Sequence, residues 1–425
     1  MKKEKIILDV GSSTIKVYKI TNGKLKHIQN KSIFFKEGFT CDFGIEEKNK
    51  KLLLDFLKRI KTDNHGLLIE IYATSIFRKM KAVTRQQFVD DIFESTGLYF
   101  NIIPHDIESF YMQQALVGKY NNDLALIINI GGGSTELIVM KGRDVLKTHE
   151  LENLGVGTLI TKYPEINNPL SGVGIGDLVK EVEEVLPDID QNIETAFYSG
   201  GELTYMKLSG YNLIKNNLFQ DESHPNLISF VNFQERNNDI FKKVTLESLE
   251  KLMTENPKWM HGARACSAVA QAICKKYSIK NIIPSDSNLV DGIFRRPFRK
   301  VVISGSFRKF LKEILEVRNE LAQKGVEILS PRFTEPKNPG EEFVVFEGEE
   351  GESPLVSKRH HISSIEQADT LIVVDPKGYK GIERGYVGAS SLIEIGYAHA
   401  LRKKVVFTET PDEFMLNTLP AQFGL

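Results

Sequence analysis

The sequence has almost no charge imbalance. Against 55 lysines and arginines stand 56 aspartates and glutamates, a formal net charge of −1. No overall field therefore draws the chain to nucleic acid or to an acidic membrane surface, and a polyanion has to be met by local groups. Cysteine is scarce: Cys41, Cys266 and Cys274 are too few and too irregularly spaced for a disulfide framework or a zinc knuckle. They suit a reducing compartment and are expected to be buried small side chains. Long apolar runs are missing too. The opening MKKEKIILDVGSS sets basic residues before an apolar run, as a signal peptide does, but the run is short and Asp9 breaks it. It is expected to be the first strand of a cytoplasmic protein with no membrane span. A length of 425 residues allows roughly three domains.

What the chain does have is glycine turns between apolar strands. In ALIINIGGGSTELIVM an Ile-rich run enters Gly131, Gly132 and Gly133, passes Ser134, Thr135 and Glu136, and leaves through a second apolar run. That reads as strand, tight turn, strand. Three residues without Cβ let the backbone take left-handed angles and lie against a ligand with its N–H groups outward, which suits phosphate. Residues 6–18 repeat the layout: an apolar strand, Asp9, then Gly11, Ser12, Ser13 and Thr14, then Ile15, Val17 and Tyr18. Two such units in one chain suggest two related halves. A third glycine turn follows at Tyr198 to Glu202 (YSGGE).

Between these lie helices. Leu53, Phe56, Leu57 and Ile60 mark one face over residues 47–61. Thr84 and Gln87 form a capping-box pattern, with Gly97 where that helix should stop. Glu108 falls in the first turn of a helix entered at Pro104, where a lone carboxylate is ordinarily solvated and favoured by the helix dipole. Residues 210–245, rich in Asn, Gln and Asp, read as an irregular excursion. Arg295, Arg296, Arg299 and Lys300 around Pro297 read as a linker of solvated charge. At Lys300 strands and helices of short period restart, with a loop over 331–353 that carries an acidic run. This alternation predicts a small doubly wound parallel sheet whose ligand binds at the carboxyl ends of its strands.

The segments IILDVGSSTIKVY, YATSIFRK, HDIES, INIGGGSTELIV, LGVGT, YSGGELT and IIPSDSNLVDGIF stand in the order found in the exopolyphosphatase and guanosine pentaphosphate phosphohydrolase family, which the chain resembles over residues 5–295. The resemblance implies an α/β fold of two actin-like, ribonuclease-H-like lobes, here 1–122 and 123–296, with phosphate between them, and hydrolytic removal of a terminal phosphate with magnesium. It assigns Gly11, Ser12 and Ser13 to one phosphate loop and Gly131 to Thr135 to the other. Arg78 brings charge to phosphate, Glu108 readies the attacking water, and Glu136 is a second catalytic carboxylate. Asp9, residue 129 and Glu136 are the metal positions. The family usually places aspartate at the second of these. Here Asn129 lacks the negative charge a hard divalent ion prefers, so metal affinity is expected to fall. The acidic cluster is also diluted by His105, Ile107 and Ser109.

Residues 300–425 resemble the nucleoside 2-deoxyribosyltransferase and nucleotide N-glycosidase family through ISGSF, IEQADTLIVVD and GASSLIEIGYAHALRKKVV. That resemblance makes Glu394 the nucleophile at the sugar's anomeric carbon. Gly305, Ser306, Arg308, Asp375, Tyr386 and Gly388 become nucleotide-binding residues, with Tyr379 in the loop over the site and His361 where many members carry aspartate. The expected partners are polyphosphate or a guanosine polyphosphate in the first part and a nucleotide in the second, with no nucleic acid and no membrane. Dimers are common among such relatives, but no interface can be read from composition. The alternative to a phosphohydrolase is a sensor of phosphorylated alarmones whose C-terminal domain is the enzyme, and Glu394 is equally compatible with nucleotide binding without cleavage.

Overall fold

The computed structural model describes residues 4–116, 120, 123–142, 144–254, 256–332, 334–338, 344–347, 353–381, 383–401, 403–413, 416 and 422–423. The chain divides into two compact units, Met1–Ile103 with Arg296–Leu425, and Pro104–Arg295.

The first unit opens with strands β1 (Lys5–Val10), β2 (Thr14–Thr21), β3 (Lys24–Ser32), β4 (Leu68–Ala73) and β5 (Phe100–Ile102), in sheet order β3-β2-β1-β4-β5. β1–β2 and β2–β3 are antiparallel hairpins, while β4 and β5 run parallel to β1. β1 is central, so Ile6, Ile7, Leu8 and Val10 are all buried. The helix Glu47–Asp63 turns Leu53, Phe56, Leu57 and Ile60 into the core, as their spacing predicts. Gly97 ends the helix Ala82–Thr96 at φ +66°, a left-handed stop that glycine takes at no steric cost. The capping box is not formed. The helix begins at Ala82, so Thr84 already lies inside its first turn and donates instead to the Asp42 carbonyl at 2.6 Å.

The second unit adds β6 (Leu124–Ile130), β7 (Ser134–Lys141), β8 (Asp144–Glu152), β9 (Thr195–Ser199), β10 (Ile214–Lys215), β11 (Asn226–Ser229) and β12 (Asn281–Ser285), in order β10-β11-β12-β9-β6-β7-β8. Within it β8-β7-β6-β9-β12 repeats β3-β2-β1-β4-β5: two antiparallel hairpin steps, then two parallel neighbours. The two related halves expected from the glycine turns are therefore present as one topology used twice. The irregular excursion expected over 210–245 is overturned, since it holds β10, β11 and the helix Phe230–Lys242. Ser229 caps that helix by accepting from Asn232 N–H. Phe233, Ile240 and Phe241 face inward, and Asn237, fully buried, donates to Gln271 and accepts from Tyr211.

Strands β13 (Lys300–Gly305), β14 (Glu327–Ser330), β15 (Thr370–Val374), β16 (Lys404–Phe407) and β17 (Gln422–Phe423) form an all-parallel sheet in order β14-β13-β15-β16-β17. Counted from β13 this is the doubly wound order 2-1-3-4-5, whose direction of winding reverses between its first and third strands. The acidic run lies, beyond Glu347, outside the described residues. This sheet shares the first unit with β1–β5. Lys404, at the start of β16, reaches Tyr72 Oη at 3.0 Å and lies 3.7 Å from Glu70, which Lys5 also pairs at 2.6 Å. All of Glu70, Tyr72 and Lys404 are buried. Burial would raise the Glu70 pKa, but Lys404 and Lys5 outweigh it and hold the carboxyl at about 2.

The arginines around residue 297 are not simply solvated. Arg295 donates to the carbonyls of Gln114 and Ala115 and to Ser223, holding the last carbonyls of the helix His105–Leu116. Cys41 is exposed, against expectation; Cys274 is buried and Cys266 half-buried. Among the described residues no helix is long and apolar enough to cross a membrane.

Candidate active site

The glycine turn between β6 and β7 closes by a hydrogen bond from Gly131 N–H to the Ser134 carbonyl, 2.8 Å; the turn between β1 and β2 closes the same way, Gly11 N–H to Thr14 carbonyl, 3.0 Å. Neither Gly131, Gly132 nor Gly133 takes a positive φ, so the expectation of left-handed angles is corrected. Close approach instead excludes side chains at Gly155 and Gly157, which pack behind the turn. Val156 N–H donates to Gly131 and Gly157 N–H to Gly132 at 3.0 and 2.8 Å. A Cβ on Gly155 would fall 2.5 Å from the Gly133 backbone, and one on Gly157 2.8 Å from the Gly132 carbonyl. The LGVGT motif is thus the second layer of the turn, and these bonds fix its carbonyls on the inner side. The third turn does need left-handed glycine, with Gly200 at φ +122° and Gly201 at +105°.

A polar row crosses this sheet. Ser199, Asn129, Glu136 and Glu150 are register partners on β9, β6, β7 and β8. Glu136 is 5% exposed. Its Oε1 accepts from Ser134 Oγ and its Oε2 from Asn129 Nδ2, both at 2.9 Å. Glu150 forms an ion pair with His105, the first residue of the helix that carries Glu108 one turn later. Glu108 is buried at 9% exposure, so the solvated helix-start reading is overturned. Its helix is closely packed one turn on: Leu289–Arg295 crosses it so tightly that a Cβ on Gly292 would meet the Tyr111 carbonyl at 1.9 Å.

In the first unit, Ser12 Oγ donates to Ser75 Oγ at 2.9 Å, and Phe35 and Ile33 N–H donate to the Ser12 and Ser13 carbonyls. The loop is thereby braced from two sides. Arg78 follows in the 3-10 turn Ser75–Lys79 and donates to the Ile103 carbonyl at 3.3 Å. Asp9, Gly11, Ser12, Ser13 and Arg78 belong to this unit; Glu108, Asn129, Glu136 and the 131–135 turn belong to the second. Of the metal positions, the two in the second unit do not fit magnesium. Each Glu136 oxygen accepts a hydrogen bond from a protein donor, and the Asn129 amide turns its nitrogen, not its oxygen, toward Glu136.

The parallel sheet gathers another constellation at its carboxyl end. Glu394, on the helix Ala389–Ala400, accepts from Ser304 Oγ at 2.5 Å, pairs with Lys358, and has His361 Nε2 at 3.1 Å. Burial would raise its pKa, yet His361 and Lys358 outweigh it and hold the carboxylate at about 2. His361 Nδ1 meets Ser330 Oγ at 2.7 Å. Gly305, at φ +151°, leads into Ser306 at the start of the helix Phe307–Gln323. Asp375 is fully buried beyond β15, and burial raises its carboxyl to about 6 although Glu409 N–H and Thr408 donate to it. Arg308 is exposed. Its neighbour Lys309 contacts the tyrosine loop, 2.9 Å from Tyr386 Oη and 4.5 and 4.3 Å from the Tyr379 and Tyr386 ring centres. Gly388 stands at the start of the Glu394 helix. Sequence reasoning missed Lys309, Lys358 and Ser304, although Lys358 and His361 sit at i, i+3 on one helix, a spacing that puts them on one face.

A topology used twice, each copy with a hydrogen-bonded glycine turn at the carboxyl end of its central strand, defines a class of duplicated α/β proteins. A profile of the Ppx/GppA phosphatase family matches residues 46–298, and the chain belongs to that family. The fold agrees. A PPX-GPPA enzyme of Aquifex aeolicus superposes with TM-score 0.52 at 20% identity, covering 68% of this chain and 98% of that one. An exopolyphosphatase from Cytophaga hutchinsonii superposes with TM-score 0.55 at 18% identity, covering 68% and 96%. No curated protein sequence matches the chain.

Proposed function

We propose that the chain hydrolyses terminal phosphoanhydrides of inorganic polyphosphate or of guanosine penta- or tetraphosphate. The observation that carries this reading is the glycine turn at 131–135, rigidly backed by Gly155 and Gly157, in the same unit as the buried carboxylate of Glu108. Phosphoanhydride cleavage asks a protein chiefly for positioning and for donors to the charge that develops on phosphoryl oxygens. The turn offers backbone N–H groups to phosphate, while the Ser134 hydroxyl donates to Glu136 and the Thr135 hydroxyl to the Leu154 carbonyl. Glu108 accepts a proton from water as its oxygen attacks phosphorus and the bond to the bridging oxygen breaks. Release of orthophosphate from tripolyphosphate or guanosine pentaphosphate by the purified chain tests the reading. Glu108→Gln is expected to lower kcat at least about 100-fold, the usual scale for loss of a general base. No release, together with tight alarmone binding, selects the sensor alternative.

We infer a second activity from the Glu394 cluster. A buried, ionised carboxylate at the carboxyl end of a parallel sheet has the character of a glycosyl nucleophile. Its oxygen would bond the anomeric carbon as the C–N bond breaks, the electron pair passing to the base nitrogen, which takes a proton. Water then releases the sugar. Free base formed from deoxynucleotides and lost in Glu394→Gln is the expected result; binding without free base makes this a nucleotide-binding domain.

A further inference from the structure

Residues 9 and 129 occupy equivalent places. Each lies two before the glycine that closes its turn, and each faces a partner across its hairpin: Asp9 opposite Lys16, and Asn129 opposite Glu136. The first hairpin sets an acid against a base, the second an amide against an acid. In the second hairpin the chemistry of the pair fixes the orientation of the amide. A carboxylate only accepts, so the Asn129 nitrogen points to Glu136 and its oxygen points the other way, 3.5 Å from Ser199 Oγ. With Ser134 on its other oxygen, Glu136 has a protein donor on each side. An aspartate at 129 would instead place carboxylate oxygens at about the same 2.9 Å separation. Two carboxylates that close cannot both ionise without a proton or a cation between them.

We propose that Asn129 is the internal donor that takes a cation's place beside Glu136. The second unit then has no divalent-ion site of its own, and Asn129, Glu136 and Ser134 act as positioning residues that hold the glycine turn in shape. Magnesium, a small ion that keeps most of its waters and binds through few carboxylates plus substrate phosphates, would arrive with the phosphate chain. That last clause rests on the phosphohydrolase reading; the hairpin claim does not.

The test measures Mn2+ uptake by the full chain without substrate, by the electron paramagnetic resonance signal of free Mn2+, and the melting midpoint with and without Mg2+, for wild type, Asn129→Asp and Glu136→Gln. Wild type and Glu136→Gln are expected to take up the same amount of Mn2+. Asn129→Asp is expected to gain one ion per chain and to gain several degrees of melting midpoint from Mg2+ that wild type does not gain. Mn2+ bound by wild type and lost in Glu136→Gln overturns the proposal, as does a folded Asn129→Asp that binds no additional ion. If Asn129→Asp does not fold with either ion, the comparison of wild type with Glu136→Gln decides alone. Phosphate release is not read, so an inactive chain leaves this test intact, and an active one does not settle it.

Discussion

Glu202 shows how one side chain can tie stability to pH. It follows the left-handed Gly200–Gly201 turn and is 5% exposed. Cys266 Sγ lies 3.6 Å from its Oε1, and Tyr198 Oη donates to that sulfur at 3.0 Å. Burial pushes its carboxyl up to about 8 from an ordinary 4.5. The folded state therefore keeps a proton that the unfolded chain gives up near pH 4.5. Its contribution to stability is greatest below that pH and declines as pH rises through 8, with a limiting slope of about 1.4 kcal/mol per pH unit. Melting midpoints measured from pH 5 to 8 are expected to fall in wild type relative to Glu202→Gln, which has no proton to lose. Parallel curves for the two proteins would show that the carboxyl is ionised throughout.

At the scale of elements, the helix Phe230–Lys242 and the helix His105–Leu116 make opposite points about what the sequence discloses. The first was hidden because Asn232, Gln234, Arg236, Asn237 and Asn238 mask the spacing of Phe233, Ile240 and Phe241. Asn237 is buried by its bonds to Tyr211 and Gln271, and those partners lie far away in the chain. The second was visible as a helix, but neither the burial of Glu108 nor the close crossing at Gly292 was, since the crossing helix lies far away in the chain. The glycine turns were legible because apolar strands frame them. Their geometry was not, because Gly155 and Gly157 do by contact what the first three glycines were expected to do by backbone angle. Two substitutions test these elements by denaturant unfolding. Ser229→Ala removes the cap that accepts from Asn232 N–H and is expected to cost about 1 kcal/mol. Gly292→Ala, with its methyl 1.9 Å from a backbone oxygen, is expected to cost more, about 3 kcal/mol. If Gly292→Ala also lowers phosphate release in the protein that remains folded, Glu108 has been displaced.

For the whole molecule, the division into units cuts across the order of the chain, since the last sheet belongs with the first and the middle stands by itself. The sequence showed where the pattern restarts at Lys300 but held no sign that Lys404 would be buried against Glu70 and Tyr72. Glu70 is held at about 2 in the fold against 4.5 ordinarily. Its contribution is complete above about pH 4.5 and lost as pH falls toward 2, so this unit is expected to be acid-sensitive. Lys404→Met leaves Glu70 buried with Lys5 and the Tyr72 hydroxyl, and truncating one partner of a buried pair costs about 3 kcal/mol or more. A loss well under that on thermal or urea unfolding would mean that Lys5 suffices.

The same cluster sets an order of assembly. Lys404 and Tyr72 are 332 residues apart, so at a synthesis rate of about 5–20 residues per second, Glu70 waits roughly 20 to 60 seconds on the ribosome for its second cation. The contiguous Pro104–Arg295 unit is made entirely within that interval. On a growing chain the middle can therefore be finished before the beginning, and the stretch that starts first is the one most exposed to holding chaperones.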